Sequence, residues 1–117
     1  MLYTDLIREA YAAFNERNID KALSAMQPGV RWSNGWEGGY ISGHDAIRKY
    51  WTRQWNEINP KVEPTGFKER ENGSLEVEVQ QLVKDFEGNT IFDGRVKHIY
   101  SFENGLIETM DIEPFDD

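Results

Sequence analysis

The sequence contains no cysteine in 117 residues. Disulfides and thiolate metal sites are therefore excluded, and redox chemistry does not constrain the compartment. Positive charge is also scarce: 13 Lys and Arg stand against 21 Asp and Glu, a formal net charge of −8. Phosphate binding needs clustered Lys and Arg, so nucleic acid is not an expected partner. The one local concentration, Arg48, Lys49 and Arg53, reads as the solvated face of a helix. No apolar run approaches membrane-spanning length, so no membrane partner is expected. The opening MLYTDLIREA lacks the basic-then-apolar pattern of a signal peptide. Only two histidines occur, His44 and His98, far apart in the chain, and no metal site is visible. Gly35, Gly38, Gly39 and Gly43 do not follow a nucleotide-binding spacing, so no cofactor is expected. By default the protein should be soluble and cytoplasmic.

Hydrophobic residues make up 38% of the chain and aromatic residues 13%, too many for disorder. The length suits a single domain, 1–117, with one sizeable core. Leu2, Tyr3, Leu6, Ile7, Ala10, Ala13 and Phe14 recur at helical spacing, predicting a first helix over 2–14. Asn18 reads as the N-cap of a short second helix carrying Ile19, Ala22, Leu23 and Met26, which Pro28-Gly29 would end. Val30, Trp32 and Asn34 alternate with Arg31 and Ser33, the period of a half-buried strand. Ser42-x-x-Asp45 is a candidate capping box for a third helix bearing Ile47, Trp51, Trp55 and Ile58. At that spacing Trp51 and Trp55 read as core.

Beyond Asn59-Pro60 the period changes to two. A strand over 61–70 is interrupted near Pro64-Thr65-Gly66, as at an edge or bulge. Asn72-Gly73, Glu87-Gly88-Asn89 and Glu103-Asn104-Gly105 punctuate a meander that closes with a strand over 106–113. Three N-terminal helices packed on a curved, mainly antiparallel sheet give an α+β domain.

Along each inward face one polar residue interrupts apolar ones. Asn34 follows Val30 and Trp32, Gln81 follows Val77 and Val79, and His98 sits between Val96 and Tyr100. An unpaired buried polar group costs about 1–3 kcal/mol, so these three must find one another, water or a ligand. A mostly apolar cavity with a few convergent polar groups is the usual form of a small-molecule site. The partner of His98 depends on the last hairpin. A two-residue Asn104-Gly105 loop would set Asp111 opposite His98. A three-residue loop with a bulge at Gly105 instead turns Leu106, Glu108, Met110 and Ile112 inward, and that more apolar face is preferred. Glu108 would then lie diagonally from His98, or at the sheet end in water.

The helix ending AYAAFNERNIDKALSAM, the strand VRWSN, the segment ISGHDAIRKYW and the closing YSFENGLIE, in this order, resemble the nuclear-transport-factor-2-like superfamily, its SnoaL-like branch in particular. The resemblance spans nearly the whole chain. It implies a cone-shaped half-barrel whose open end admits a small ligand, and a homodimer. Trp32 and Asn34 would line the cavity, residues 35–40 would form its rim with Trp36 gating the mouth, and His44 would be exposed. Catalytic positions carry over unevenly. In the similar ketosteroid isomerases the carboxylate base matches Asn34, which cannot act as one. Their oxyanion-hole acid matches His98 and their phenol donor Ala10, with Tyr11 one residue away on another helical face. The closing-strand acid of related epoxide hydrolases matches Ile112. The cyclases' strand aspartate has no inward counterpart, Asp93 pointing outward.

The candidate ligand-binding set is thus Trp32, Asn34, Gln81, Tyr100, Glu108 and Met110, with His98 as the catalytic candidate. Histidine suits acid–base chemistry because its ordinary pKa lies near neutrality. The expected function is a pocket for a small, largely apolar ligand, with isomerase-, dehydratase- or cyclase-type chemistry at His98. A non-catalytic ligand-binding module and an assembly domain are the competing readings.

Overall fold

A computed structural model describes residues 3–35 and 38–115. Helix α1 (Tyr3–Asn15) carries the expected apolar stripe and buries Ile7, Tyr11 and Ala13. Its last residue fastens it to the sheet. The Asn15 amide donates to the Val62 carbonyl at 2.6 Å and accepts from the Val62 N–H at 2.9 Å. Val62 lies on β3 (Asn59–Glu69), an edge strand of the sheet. Asn15 therefore occupies backbone groups that would otherwise offer a pairing edge.

Helix α2 (Ile19–Leu23) starts as expected, with the Asn18 side chain accepting from the Lys21 N–H at 3.2 Å. It ends earlier than the apolar spacing suggested. Met26 begins β1 (Met26–Ser33), and Pro28-Gly29 lies inside that strand rather than after a helix. Pairing overrides the helical pattern here. Met26 is in parallel register with Ile107 of β6 (Leu106–Pro114), and the register shifts between Met26 and Arg31. Pro28 and Gly29, both exposed, fall within that irregular stretch, where a missing ladder donor is tolerated.

A short strand β2 (Tyr40–Ser42), which the sequence did not suggest, pairs antiparallel with β1. Helix α3 (His44–Glu57) follows it. The Ser42 capping box does not form. Ser42 is held in β2, and Gly43 is the N-cap at φ 88°, with no side-chain cap. That left-handed backbone favours glycine. His44 is half-buried, and its Nε2 lies 3.1 Å from the Met26 carbonyl, tying the helix start to β1.

The remaining strands are β4 (Leu75–Lys84) and β5 (Thr90–Glu103). The sheet order is β2-β1-β6-β5-β4-β3, with β1·β6 the parallel pair and the others antiparallel. The β3 register shifts between Pro64 and Gly66, as the sequence anticipated. The sheet curves without closing, and the three helices pack on one face of it. Ile7, Ile47, Ile107, Val30, Val77 and Val79 are fully enclosed in the core between them. Elsewhere the sheet carries polar links between strands. Arg70 binds Glu76 at 2.8 Å and Glu113 at 3.0 Å, and Lys97 lies 3.7 Å from Glu76. Tyr40 donates to the Asp111 carboxylate under the Arg31 guanidinium, whose carbon lies 4.5 Å from the Tyr40 ring centre.

The last hairpin combines the two geometries weighed above. Its loop is the two-residue Asn104-Gly105 turn, with both residues at positive φ (52° and 82°) and Glu103 opposite Leu106. The bulge comes further along. Phe102 pairs with Ile107 but Ser101 with Thr109, leaving Glu108 as the extra residue. Beyond it Met110 lies opposite Tyr100 and Ile112 opposite His98, so Ile112 and not Asp111 takes that place.

Candidate functional site

The concave side of the sheet and the helices enclose a cavity of about 440 Å³. Its wall is largely apolar: Phe14 from α1, Trp51 from α3, Trp32 from β1, Val62, Val83 and Val96 from the sheet, and Met110 from β6. The aromatic part is itself packed edge to face, with Trp51 at 5.7 Å from Trp32 and 5.1 Å from Phe14 between ring centres. Such contacts add about 0.5–1.5 kcal/mol each to plain burial and hold the wall rigid. Ile91, Phe92 and Ile112 border the cavity while remaining 52%, 43% and 37% exposed. These three mark its open side.

Six large polar side chains break the apolar wall: Tyr11, Tyr50, Gln54, Gln81, His98 and Tyr100. Three of them are joined. The Tyr100 hydroxyl donates to the Tyr11 oxygen at 2.7 Å, and the Tyr11 oxygen lies 2.6 Å from Nδ1 of His98. Tyr11 has a single hydrogen, and its oxygen already accepts from Tyr100, so that hydrogen goes to Nδ1. Neutral His98 then carries its proton on Nε2, which has no hydrogen bond among the described residues.

Burial decides the charge state. His98 is 7% exposed, Tyr11 6% and Tyr100 3%. Desolvation lowers the His98 pKa to about 4 and raises both tyrosines above their ordinary value. For Tyr11 the neighbouring Tyr100 raises it further. At neutral pH the chain of three is therefore uncharged throughout. No Asp, Glu, Lys or Arg lines the cavity among the described residues.

Of the residues singled out from the sequence, the structure brings Trp32, Gln81, His98, Tyr100 and Met110 to this one cavity. Two are placed elsewhere. Asn34 is buried but follows the last residue of β1. Its N–H donates to the Gly39 carbonyl at 2.9 Å and its carbonyl accepts from Gly38 at 2.9 Å, closing the turn toward β2. The cavity is lined instead by its neighbours Ser33 and Gly35. Glu108, displaced by the bulge, lies 3.4 Å from the Ser101 hydroxyl and beside Glu103, whose carboxyl its hydrogen bond holds above the ordinary range. Trp36 lies outside the described residues.

The family model of the SnoaL-like domain matches residues 7–110. The chain belongs to the SnoaL-like family. Its fold recurs in solved structures. One is TerC, co-crystallised with polyporic acid: 23% identity, covering 96% of this chain and 90% of that one, TM-score 0.83. Another is a nuclear-transport-factor-2-like protein of unknown function from Burkholderia pseudomallei: 25% identity, covering 96% and 89%, TM-score 0.82. A third is a candidate polyketide cyclase from Xanthomonas campestris pv. campestris: 18% identity, covering 93% and 87%, TM-score 0.75. No curated protein matches in sequence. No helix among the described residues of this SnoaL-like domain is long and apolar enough to cross a membrane.

Tyr11 is the residue that sequence reading underrated. It stands four residues after Ile7 and three before Phe14 on α1, which places it on the same apolar stripe. A hydroxyl on that stripe, like His98 on its strand, was a buried polar group in search of a partner. The two have found each other. Trp51, expected as core, is 4% exposed and serves both as core and as cavity wall.

Proposed function

We propose that this SnoaL-like domain binds one small, uncharged, largely apolar molecule whose polar end meets His98 and Tyr100. The observation that carries the reading is the contrast within the cavity wall: aromatic and aliphatic over most of its area, with Tyr11, His98 and Tyr100 joined at one place. An apolar ring system is favoured by the wall, at about 25 cal/mol for each Å² removed from water. A polar group on that ring system is favoured by the Nε2–H of His98 and the Tyr100 hydroxyl, and Gln81 offers a further polar contact. A charged ligand would enter without a counter-ion among the lining residues and is disfavoured.

Acid–base chemistry of isomerase, dehydratase or cyclase type at His98 belongs to this reading, with a non-catalytic ligand carrier as the alternative. TerC with its polyporic acid supports the binding of a small molecule by this fold, and the cyclase candidates among the similar folds support the catalytic version. A histidine held neutral favours hydrogen-bond donation over action as a preformed imidazolium acid. The homodimer rests on the family resemblance, and the cytoplasmic location is a default expectation.

Titration with a panel of uncharged aromatic and alicyclic ketones and phenols tests the pocket. Binding should change the fluorescence of Trp32 and Trp51 and the NMR signals of the His98 ring. A panel that moves neither would overturn it.

A further inference from the structure

We propose that Tyr100, Tyr11 and His98 form a charge-neutral proton relay that moves a proton between carbon and oxygen of an uncharged, enolisable carbonyl compound. The inference rests on the pocket reading above and adds to it a reaction class and a role for each hydroxyl. Its basis is geometric. The links are short, 2.7 and 2.6 Å, and the residues at both ends, Tyr100 and His98, line the same cavity. Their ring centres are 6.3 Å apart, so the two ends are close enough to serve one small molecule. Neither Tyr100 Oη nor His98 Nε2 has a further hydrogen bond among the described residues.

The surroundings exclude the usual alternative. Simple proton abstraction by His98 would leave an imidazolium and an enolate in a wall without a charged side chain among the described residues, and burial already disfavours the imidazolium. A relay avoids both ions. With an enol bound, the Nε2–H bond breaks and its proton bonds to the substrate carbon, which supplies the enol π pair. Nδ1 takes the Tyr11 phenolic proton, and the Tyr11 oxygen takes that of Tyr100. The Tyr100 oxygen takes the enol O–H proton as the carbonyl forms. Four protons have each moved one place, no net charge appears, and the enol has become the ketone. The protein is left with its proton on Nδ1 and its hydrogen bonds reversed. Removal of an α-proton is the same stroke run backwards and starts from the reversed relay, with Nε2 free, the imidazole proton on Nδ1 and the Tyr100 hydroxyl donating to the carbonyl. Removal and return together reset the relay. His98 and Tyr100 touch substrate in this scheme, while Tyr11 connects them and positions the imidazole.

The uncharged ketone 2-tetralone in D₂O serves as the probe, with binding and exchange measured separately. Binding is followed by tryptophan fluorescence, and deuterium uptake at the carbons beside the carbonyl by NMR. Long-range proton–nitrogen spectra should show His98 neutral, with its proton on Nε2 in the unliganded protein and on Nδ1 once 2-tetralone is bound. Wild type should speed exchange over buffer. Tyr100→Phe should remove about 10²-fold of any rate gained by general acid–base assistance, while its affinity stays within about threefold. Tyr11→Phe, which cuts the relay in the middle, should lose as much and is the second variant should Tyr100→Phe fold poorly. Bound 2-tetralone that exchanges no faster than in buffer overturns the relay and leaves the pocket standing. Exchange that survives both phenylalanine variants but not His98→Asn also overturns it, since His98 then acts alone. Failure of 2-tetralone to bind overturns the pocket reading beneath it.

Discussion

Acid should destabilise this protein partly through one side chain, and His98→Asn isolates that contribution. Burial holds the His98 pKa at about 4, against an ordinary value of 6.5. As the pH falls below 6.5 the unfolded chain takes up a proton at His98, and the folded chain does not until the pH nears 4. Within that window the unfolded state binds more protons, so stability falls with falling pH. Above the window both states are neutral and the contribution is constant. At 1.36 kcal/mol for each tenfold difference in proton affinity, the whole window is worth about 3 kcal/mol. The asparagine oxygen can still accept from Tyr11 but has no proton to gain. Near neutral pH the variant should be less stable by about 1 kcal/mol, chiefly from lost imidazole packing. Toward pH 4 the order should reverse. Urea denaturation of both proteins across the window gives the difference directly, and carboxylates common to both cancel. Parallel stability curves would falsify the argument, because they would mean that His98 is equally willing to be protonated in both states.

Trp51→Ala should lower the unfolding free energy by about 3 kcal/mol, the low end for a large aromatic, because its ring borders space that is already open; a calorimetric melt checks this. Gly94→Ala would set a methyl group 3.0 Å from the Phe92 ring, which is half exposed on the open side of the cavity. The ring should swing away, leaving stability within about 0.5 kcal/mol but altering the ligand association rate in stopped-flow fluorescence. Sedimentation at micromolar protein should give twice the chain mass if the homodimer of the proposed function is correct, and a monomer mass counts against it.

Much of the fold could be read because alternation and turn chemistry agreed along the second half of the chain. Val77, Val79, Gln81 and Val83 on β4 and Val96, His98 and Tyr100 on β5 share the concave face because strand period two leaves no other arrangement once Val and Tyr are buried. The candidate site was legible to the same extent. It was missed where a local device interrupted the period. Asn34 would have continued the inward set, but the turn to β2 claims its backbone. Glu108 is displaced by a single extra residue in β6, which sequence alternation cannot position. Met26 fits a helix by spacing and a strand by partner, and its partner Ile107 is 81 residues away. Tyr11 was set on the wrong helix face for a different reason: its pairing with His98 joins a helix to a strand, and neither periodicity contains the other.

The parallel pairing of β1 with β6 sets the order in which the molecule can be completed during synthesis. Strand β6 lies between β1 and β5, so the sheet has no continuity until the latest of its strands has left the ribosome. Until then the β3-β4-β5 meander presents the bare edge of β5 to solvent, and β1 with β2 has nothing to join. The nascent chain therefore carries two exposed strand edges, each a template for pairing with another chain. Contacts between such distant segments also slow folding. Chaperone demand and aggregation at this protein's synthesis should accordingly depend on how soon residues 106–114 emerge, and a stalled chain lacking them should be recovered as aggregate.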